Sequence, residues 1–169
     1  MATRPITTAN EPVLTPEKNG FRFGLYTGGV LVAYTLIAVI AGFFQNITAG
    51  GLDVLILVLG SVLAIRNFRM VRGETMPYFG GYGTGIVTAI VASVILGFCF
   101  LLLDAVVPSK LDLTQVQNVF GFEMSSIIGF LAIILMGSMS GVITSLLAMQ
   151  FYKADPLDPL QAAEQAARR

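Results

Sequence analysis

Three acids, three arginines and a handful of hydroxyls carry what chemistry this sequence offers. Asp53, Asp104 and Glu123 each stand at the same end of an apolar run, and together could form a cation site. The simpler reading is three solvated acids, because carboxylates outside a hydrocarbon layer cost little. The stretch "IRNFRMVRGETMPYFGGYGTG", Ile65 to Gly85, sets Arg66, Arg69 and Arg72 before a cluster of glycines. A phosphate-cradling loop needs a strand before its glycines and a helix after them. Here an apolar helix precedes, and "GGYGTG" lacks both the G-x-G-x-x-G spacing and the phosphate-loop lysine. Tyr34 and the cluster Ser138, Ser140 and Thr144 read as the only polar groups deep in apolar runs. Hydroxyls there usually bond backbone carbonyls or a neighbouring helix. No acid or base stands beside them to activate a nucleophile. The single cysteine, Cys99, and the absence of histidine exclude an internal disulfide, a zinc cluster and histidine-based catalysis. No catalytic residue, cofactor site or metal site is expected.

The elements that carry these residues follow from composition. The chain of 169 residues is 55% hydrophobic and 12% charged, where a soluble domain carries about 25% charged residues. Net charge is zero, which gives a nucleic-acid partner no electrostatic support. Gly24 to Phe44, Gly80 to Leu103 and Ile127 to Phe151 are uncharged and each long enough to cross a bilayer. Leu52 to Ile65 is only 14 residues long, about 21 Å as a helix. Charge asymmetry decides whether it crosses. If it does, Arg4, Lys18, Arg22, Arg66, Arg69, Arg72, Lys153, Arg168 and Arg169 share one side against Lys110, a split of 9 to 1. If it does not, Arg4, Lys18, Arg22 and Lys110 oppose the rest, a split of 4 to 6 with no bias. The positive-inside rule therefore predicts an all-α, four-transmembrane-helix bundle with both termini cytoplasmic. The spans run at about 24–44, 50–67, 80–103 and 127–151, inside a domain of residues 15–153. The first run is too long, and too far from the N-terminus, for a cleaved signal core, and reads as an uncleaved helix.

Within this frame the arginines and glycines acquire plain roles. Arg66, Arg69 and Arg72 fall in the last turns of the second helix, facing headgroups and the negative end of the helix dipole. Gly73 suits a left-handed helix end, Thr75 a cap, and Pro77 a first turn. Tyr78 and Phe79 suit an interfacial aromatic belt. At the cytoplasmic leaflet the three arginines are expected to contact anionic lipid, with Arg66 the deepest and the most important. Gly81, Gly85, Ala89, Ser93 and Gly97 recur every four residues on the third helix, a face that lets a neighbour approach closely. Gly137, Gly141 and Ser145 repeat that spacing on the fourth helix. Gly24 with Gly28, Ala38 with Gly42, and Gly60 with Ala64 repeat it on the first two. Packing inside one bundle is the expected use, with self-association the alternative.

The pattern of an apolar helix ending "AIRNFR", then "RGE", an aromatic, glycines and a long apolar helix resembles a family of small four-helix membrane proteins of unknown function, found mostly in one Gram-negative phylum. The resemblance covers roughly residues 24–107 and rests on Arg66, Phe68, Arg69, Gly73, Phe79 and Gly85. It implies the four-helix architecture and a place in the bacterial inner membrane. Outside the spans, residues 1–14 read as a disordered tail. "TPEK" reads as a helix start with Thr15 as cap and Pro16 first. Leu113, Val116 and Phe120 suggest a short interfacial helix, and residues 154–169 a short cytoplasmic helix. The expected function is a non-enzymatic packing or accessory protein. Its expected partners are membrane lipids and either its own copies or a larger membrane complex. The alternative is a small-solute transporter or channel.

Overall fold

The computed structural model describes residues 15–42, 47–72, 78–106 and 126–152. The expectations for the N-terminal tail, for Gly73, Thr75 and Pro77, for Glu123, for the interfacial helix near Leu113 and for the C-terminal helix lie outside them. All described elements are helical: α1 Pro16–Ala41, α2 Ile47–Arg72, α3 Tyr78–Val106 and α4 Ser126–Tyr152. All four are long and apolar enough to cross a membrane.

Local chemistry sets the ends. The Thr15 hydroxyl accepts the backbone N–H of Lys18 at 3.3 Å, and Pro16 occupies the first turn, where its missing N–H costs nothing. At the other end of α1, Gly42 adopts φ 77°, and its N–H bonds the carbonyls of Ala38 and Val39. That left-handed position explains why α1 stops at Ala41 rather than at the edge of the apolar run. The helix starts where "TPEK" predicts, and its polar first turns from Pro16 are continuous with the apolar span from Gly24. The second helix shows the largest difference. It has 26 residues, about 39 Å of rise. No glycine or proline interrupts Ser61 to Arg72, so the helix runs on through the arginines that ended the apolar run.

Helix α3 is the axis of the bundle. It packs along much of its length against α1 on one side and α4 on the other, and α2 lies across all three. Gly20, Gly24 and Gly28 meet Val87, Val91 and Ile95 in order, so α1 and α3 run parallel. Gly85 meets Ser145 while Gly129 meets Phe100, so α4 runs antiparallel to α3. Arg66, Arg69, Arg72 and Tyr152 thereby share one end of the bundle, and Asp104 and Ser126 the other.

The interior is built from small residues. One apolar cluster joins Leu31, Leu57, Ala89 and Ala92, and a second joins Ile65, Ala148 and Met149 near the arginine end. Phe68 and Phe100 are buried, but many large side chains point outward: Phe151 is 87% exposed, Phe79 81% and Ile40 79%. A protein folded against water buries such groups.

Candidate functional site

The small-residue stripes meet one another. Gly85, Ala89 and Ser93 of α3 lie against Ser145, Gly141 and Gly137 of α4, while Gly97 meets Phe130 and Gly81 is buried at the arginine end. A methyl group added at Gly137 would land on Ser93 Oγ, one at Gly141 on Ala89 Cβ, and one at Gly85 on Ser145 Oγ. The seam is filled from within the chain, so this face is not open to a second copy. Ser93 and Ser145 are both buried without a hydrogen-bond partner for Oγ. Each hydroxyl fills the place that a side chain would take at a glycine of the opposite helix.

A second seam joins α1 to α3, and sequence reasoning saw only part of it. Gly24 and Gly28 were paired there, but Gly20 extends the ladder by a turn, its Cβ position 2.8 Å from Val87 Cβ. The signal was the same four-residue spacing, hidden because Arg22 ended the apolar run. The close approach brings backbone carbonyls of α1 within reach of α3 hydroxyls. Thr88 Oγ1 donates toward Gly20 O at 3.2 Å and Thr84 O at 2.8 Å, and Thr84 Oγ1 toward Pro16 O and Gly80 O. Asn19, 2% exposed, donates from Nδ2 to Ala64 O at 3.0 Å and ties α1 to α2. The expectation that Tyr34, Ser138, Ser140 and Thr144 are the only deep polar groups is therefore wrong. Thr27, Thr35, Ser61 and Thr88 are buried as well. The threonines escaped notice because a lone threonine in an apolar run looks like any β-branched residue. Ser138 bonds the Ile134 carbonyl of its own helix at 2.6 Å, as such hydroxyls usually do.

The glycines of "GGYGTG" lie inside α3, with Gly80 and Gly81 buried. Their segment is helical, so it makes no loop around a phosphate. At the opposite end, Ser126 donates to Asp104, and Asp53 stands on α2 with Oδ1 buried. Among the described residues no group of three acids, cysteines or histidines is placed to hold a metal ion.

The arginines diverge. Arg69 lies over the Tyr152 ring of α4 at 5.1 Å, and Arg72 over the Phe68 ring of its own helix at 5.6 Å. Both distances suit a cation–π contact. Arg66 is exposed on the outer flank of α2. Arg69 also stands at the end of a groove. Val58 and Val62 of α2 face Ser140, Thr144, Leu147 and Tyr152 of α4 across about 700 Å³ of largely apolar space. On a helical wheel Arg69 falls between Val58 and Val62 in direction, so the same side of α2 lines the groove and then carries the cation. Sequence reasoning missed this groove.

No family model, curated protein or solved structure matches the chain. The class is therefore defined by the fold alone: among the described residues, an all-helical bundle of four helices, each long and apolar enough to cross a membrane. The resemblance over residues 24–107 rests on the residues that carry it.

Proposed function

We propose that the chain is a four-span bacterial inner-membrane protein with both termini cytoplasmic, and that it acts without catalysis, by packing against lipids and other membrane components. The observation that carries this reading is the inversion of side-chain size. Small residues fill the seams, while large apolar side chains such as Phe98, Leu102, Leu131 and Leu135 lie exposed. Lipid solvates such a surface, and helix association in lipid relies on close packing rather than on burying large side chains. Orientation rests on the 9 to 1 distribution of Lys and Arg given above. Thr35, Thr84, Thr88 and Ser138 bond backbone carbonyls, and Ser93 and Ser145 sit against glycines, an arrangement suited to holding helices rather than to activating a nucleophile.

The runner-up is a small-solute transporter or channel formed by the chain or its oligomer. Proton- and ion-coupled carriers place an ionisable residue near the bilayer midplane, and none of the four apolar runs has one in its middle. Reconstitution tests the proton-coupled form of the runner-up. Vesicles carrying the purified chain should show no solute-driven pH change beyond that of empty vesicles, and mild-detergent purification should retain lipid or a partner identifiable by mass. A pH change that depends on the chain would promote the transporter.

A further inference from the structure

The groove between α2 and α4 has a composition that selects its occupant. On α4 it runs from Met136 to Tyr152, a rise of about 24 Å, more than the roughly 15 Å depth of one leaflet's hydrocarbon. Its volume, about 700 Å³, lies in the ~300–1,000 Å³ range of small-molecule sites. Among the described residues of α2 and α4, the charged side chains are Asp53 toward one end and Arg66, Arg69 and Arg72 toward the other. Asp53 lies thirteen positions from Arg66, about 20 Å along the helix. One end of an apolar groove is thus cationic, with no acid of its own walls nearby. Arg69 closes that end against the Tyr152 ring at 5.1 Å, and Arg66 stands exposed beside it.

We propose that this groove binds one anionic glycerophospholipid, an acyl chain lying between α2 and α4 and the phosphate diester held by Arg69 and Arg66. The proposal rests on the membrane reading above and deepens it by naming a site and a ligand class. Guanidinium groups suit a phosphate through paired N–H donors. Arg69 is positioned by the Tyr152 ring, so its planar fork is held in place before the lipid arrives. The geometry makes Arg69, rather than Arg66, the principal contact. Arg72, turned onto Phe68, takes the lesser part. A second copy of the chain suits the groove less well. Two copies inserted in the same sense pair about an axis along the membrane normal. Such a pair would press Arg66 and Arg69 against their own duplicates, whereas an anionic lipid brings the opposite charge.

Native mass spectrometry of the full chain in mild detergent tests the site, with dioleoyl phosphatidylglycerol and dioleoyl phosphatidylcholine supplied as equimolar competitors. Wild type should retain one phosphatidylglycerol in preference to phosphatidylcholine. The double variant Arg66→Gln/Arg69→Gln should lose that preference by roughly 25-fold, the equivalent of two charges at about 1 kcal/mol each. Arg69→Gln alone should lose more of it than Arg66→Gln. Arg22→Gln, at the same end of the bundle but on α1, should keep it. Ser140→Trp, which fills the groove away from the arginines, should abolish one-to-one retention while the melting temperature stays near that of wild type. Equal retention of the two lipids by wild type would overturn the site, need no variant, and leave the membrane reading standing. A lipid-free dimer that Ser140→Trp separates would assign the groove to a second copy and overturn it too. A chain that fractionates apart from membranes would overturn both.

Discussion

At the residue scale, glycines that look alike in the sequence do opposite things. Gly137 has no room for a methyl group, because Ser93 Oγ occupies that place, whereas Gly29 and Gly83 have nothing within 4 Å of where a Cβ would stand. Overpacking a tight interior costs about 1–3 kcal/mol or more, while Ala in place of Gly in a helix interior favours the helix by about 0.5–1 kcal/mol. Gly137→Val should therefore lower the melting temperature in detergent, and Gly29→Ala should leave it unchanged or raise it. A Gly137→Val protein as stable as wild type would mean that α3 and α4 do not meet along this seam. Asn19 offers a second test. Removing its amide deletes the bond to Ala64 O. Interhelical polar bonds in membranes average about 0.6 kcal/mol with a maximum near 1.7, so Asn19→Ala should destabilise by an amount in that range. Thermal unfolding followed by circular dichroism can measure both.

At the scale of elements, the α1–α3 contact depends on two complementary features. Three glycines on α1 let the backbones approach, and Thr84 and Thr88 on α3 then reach the exposed carbonyls. Thr88→Val keeps the shape but removes the donor, and Gly24→Leu keeps the donor but forces the helices apart. Gly24→Leu should be the more damaging by melting temperature, since its Cβ position is 2.6 Å from Val91 Cβ and separation would also break the threonine bonds. A larger loss from Thr88→Val would make the hydroxyls, not the close approach, the source of adhesion. The helices themselves were legible in the sequence, because 21 uncharged residues from Gly24 admit few alternatives. The stripe on α3 was legible too, because a four-residue period of small side chains projects from a helix as one face. The extent of α2 was not. Hydropathy stops at Arg66, but a long aliphatic stem lets a helix carry an arginine past the apolar boundary. The groove was not legible either, since it requires knowing that α2 lies beside α4. Arg66, Arg69 and Arg72 looked equivalent by spacing and differ only because Tyr152 and Phe68 stand where they do.

At the scale of the whole molecule, the long α2 bears on how the chain is threaded. A 14-residue apolar segment leaves open a re-entrant path, whereas a continuous helix of 26 residues rises about 39 Å, more than the roughly 30 Å of hydrocarbon. Its last turns hold Arg69 and Arg72, and Arg66 stands one turn earlier. On the proposed orientation these cations resist translocation and keep their end of the bundle in the cytoplasm. Single cysteines on a background with Cys99 replaced by alanine can measure this in intact cells with a membrane-impermeant thiol reagent. Cysteine at Asn46 or Thr114 should label from outside, and cysteine at Glu74 or Ala162 only after the cells are opened. The four positions are read together because each alternative gives a different pattern. If α2 failed to cross, the connection holding Glu74 would share a side with Asn46. With the charge split then 4 to 6, nothing would fix the direction of the rest. A reversed bundle would exchange both pairs. Outside labelling at Glu74 with none at Asn46 would thus invert the orientation, and outside labelling at both would remove α2 from the set of spans. Replacing Arg66, Arg69 and Arg72 together by glutamine should weaken the asymmetry to 6 against 1, taken from the same count, and give a mixed labelling pattern. A triple variant that keeps the single pattern would place the decisive charges elsewhere, with Arg4 ahead of the first helix and Lys18 and Arg22 in its first turns as the remaining group able to set its direction.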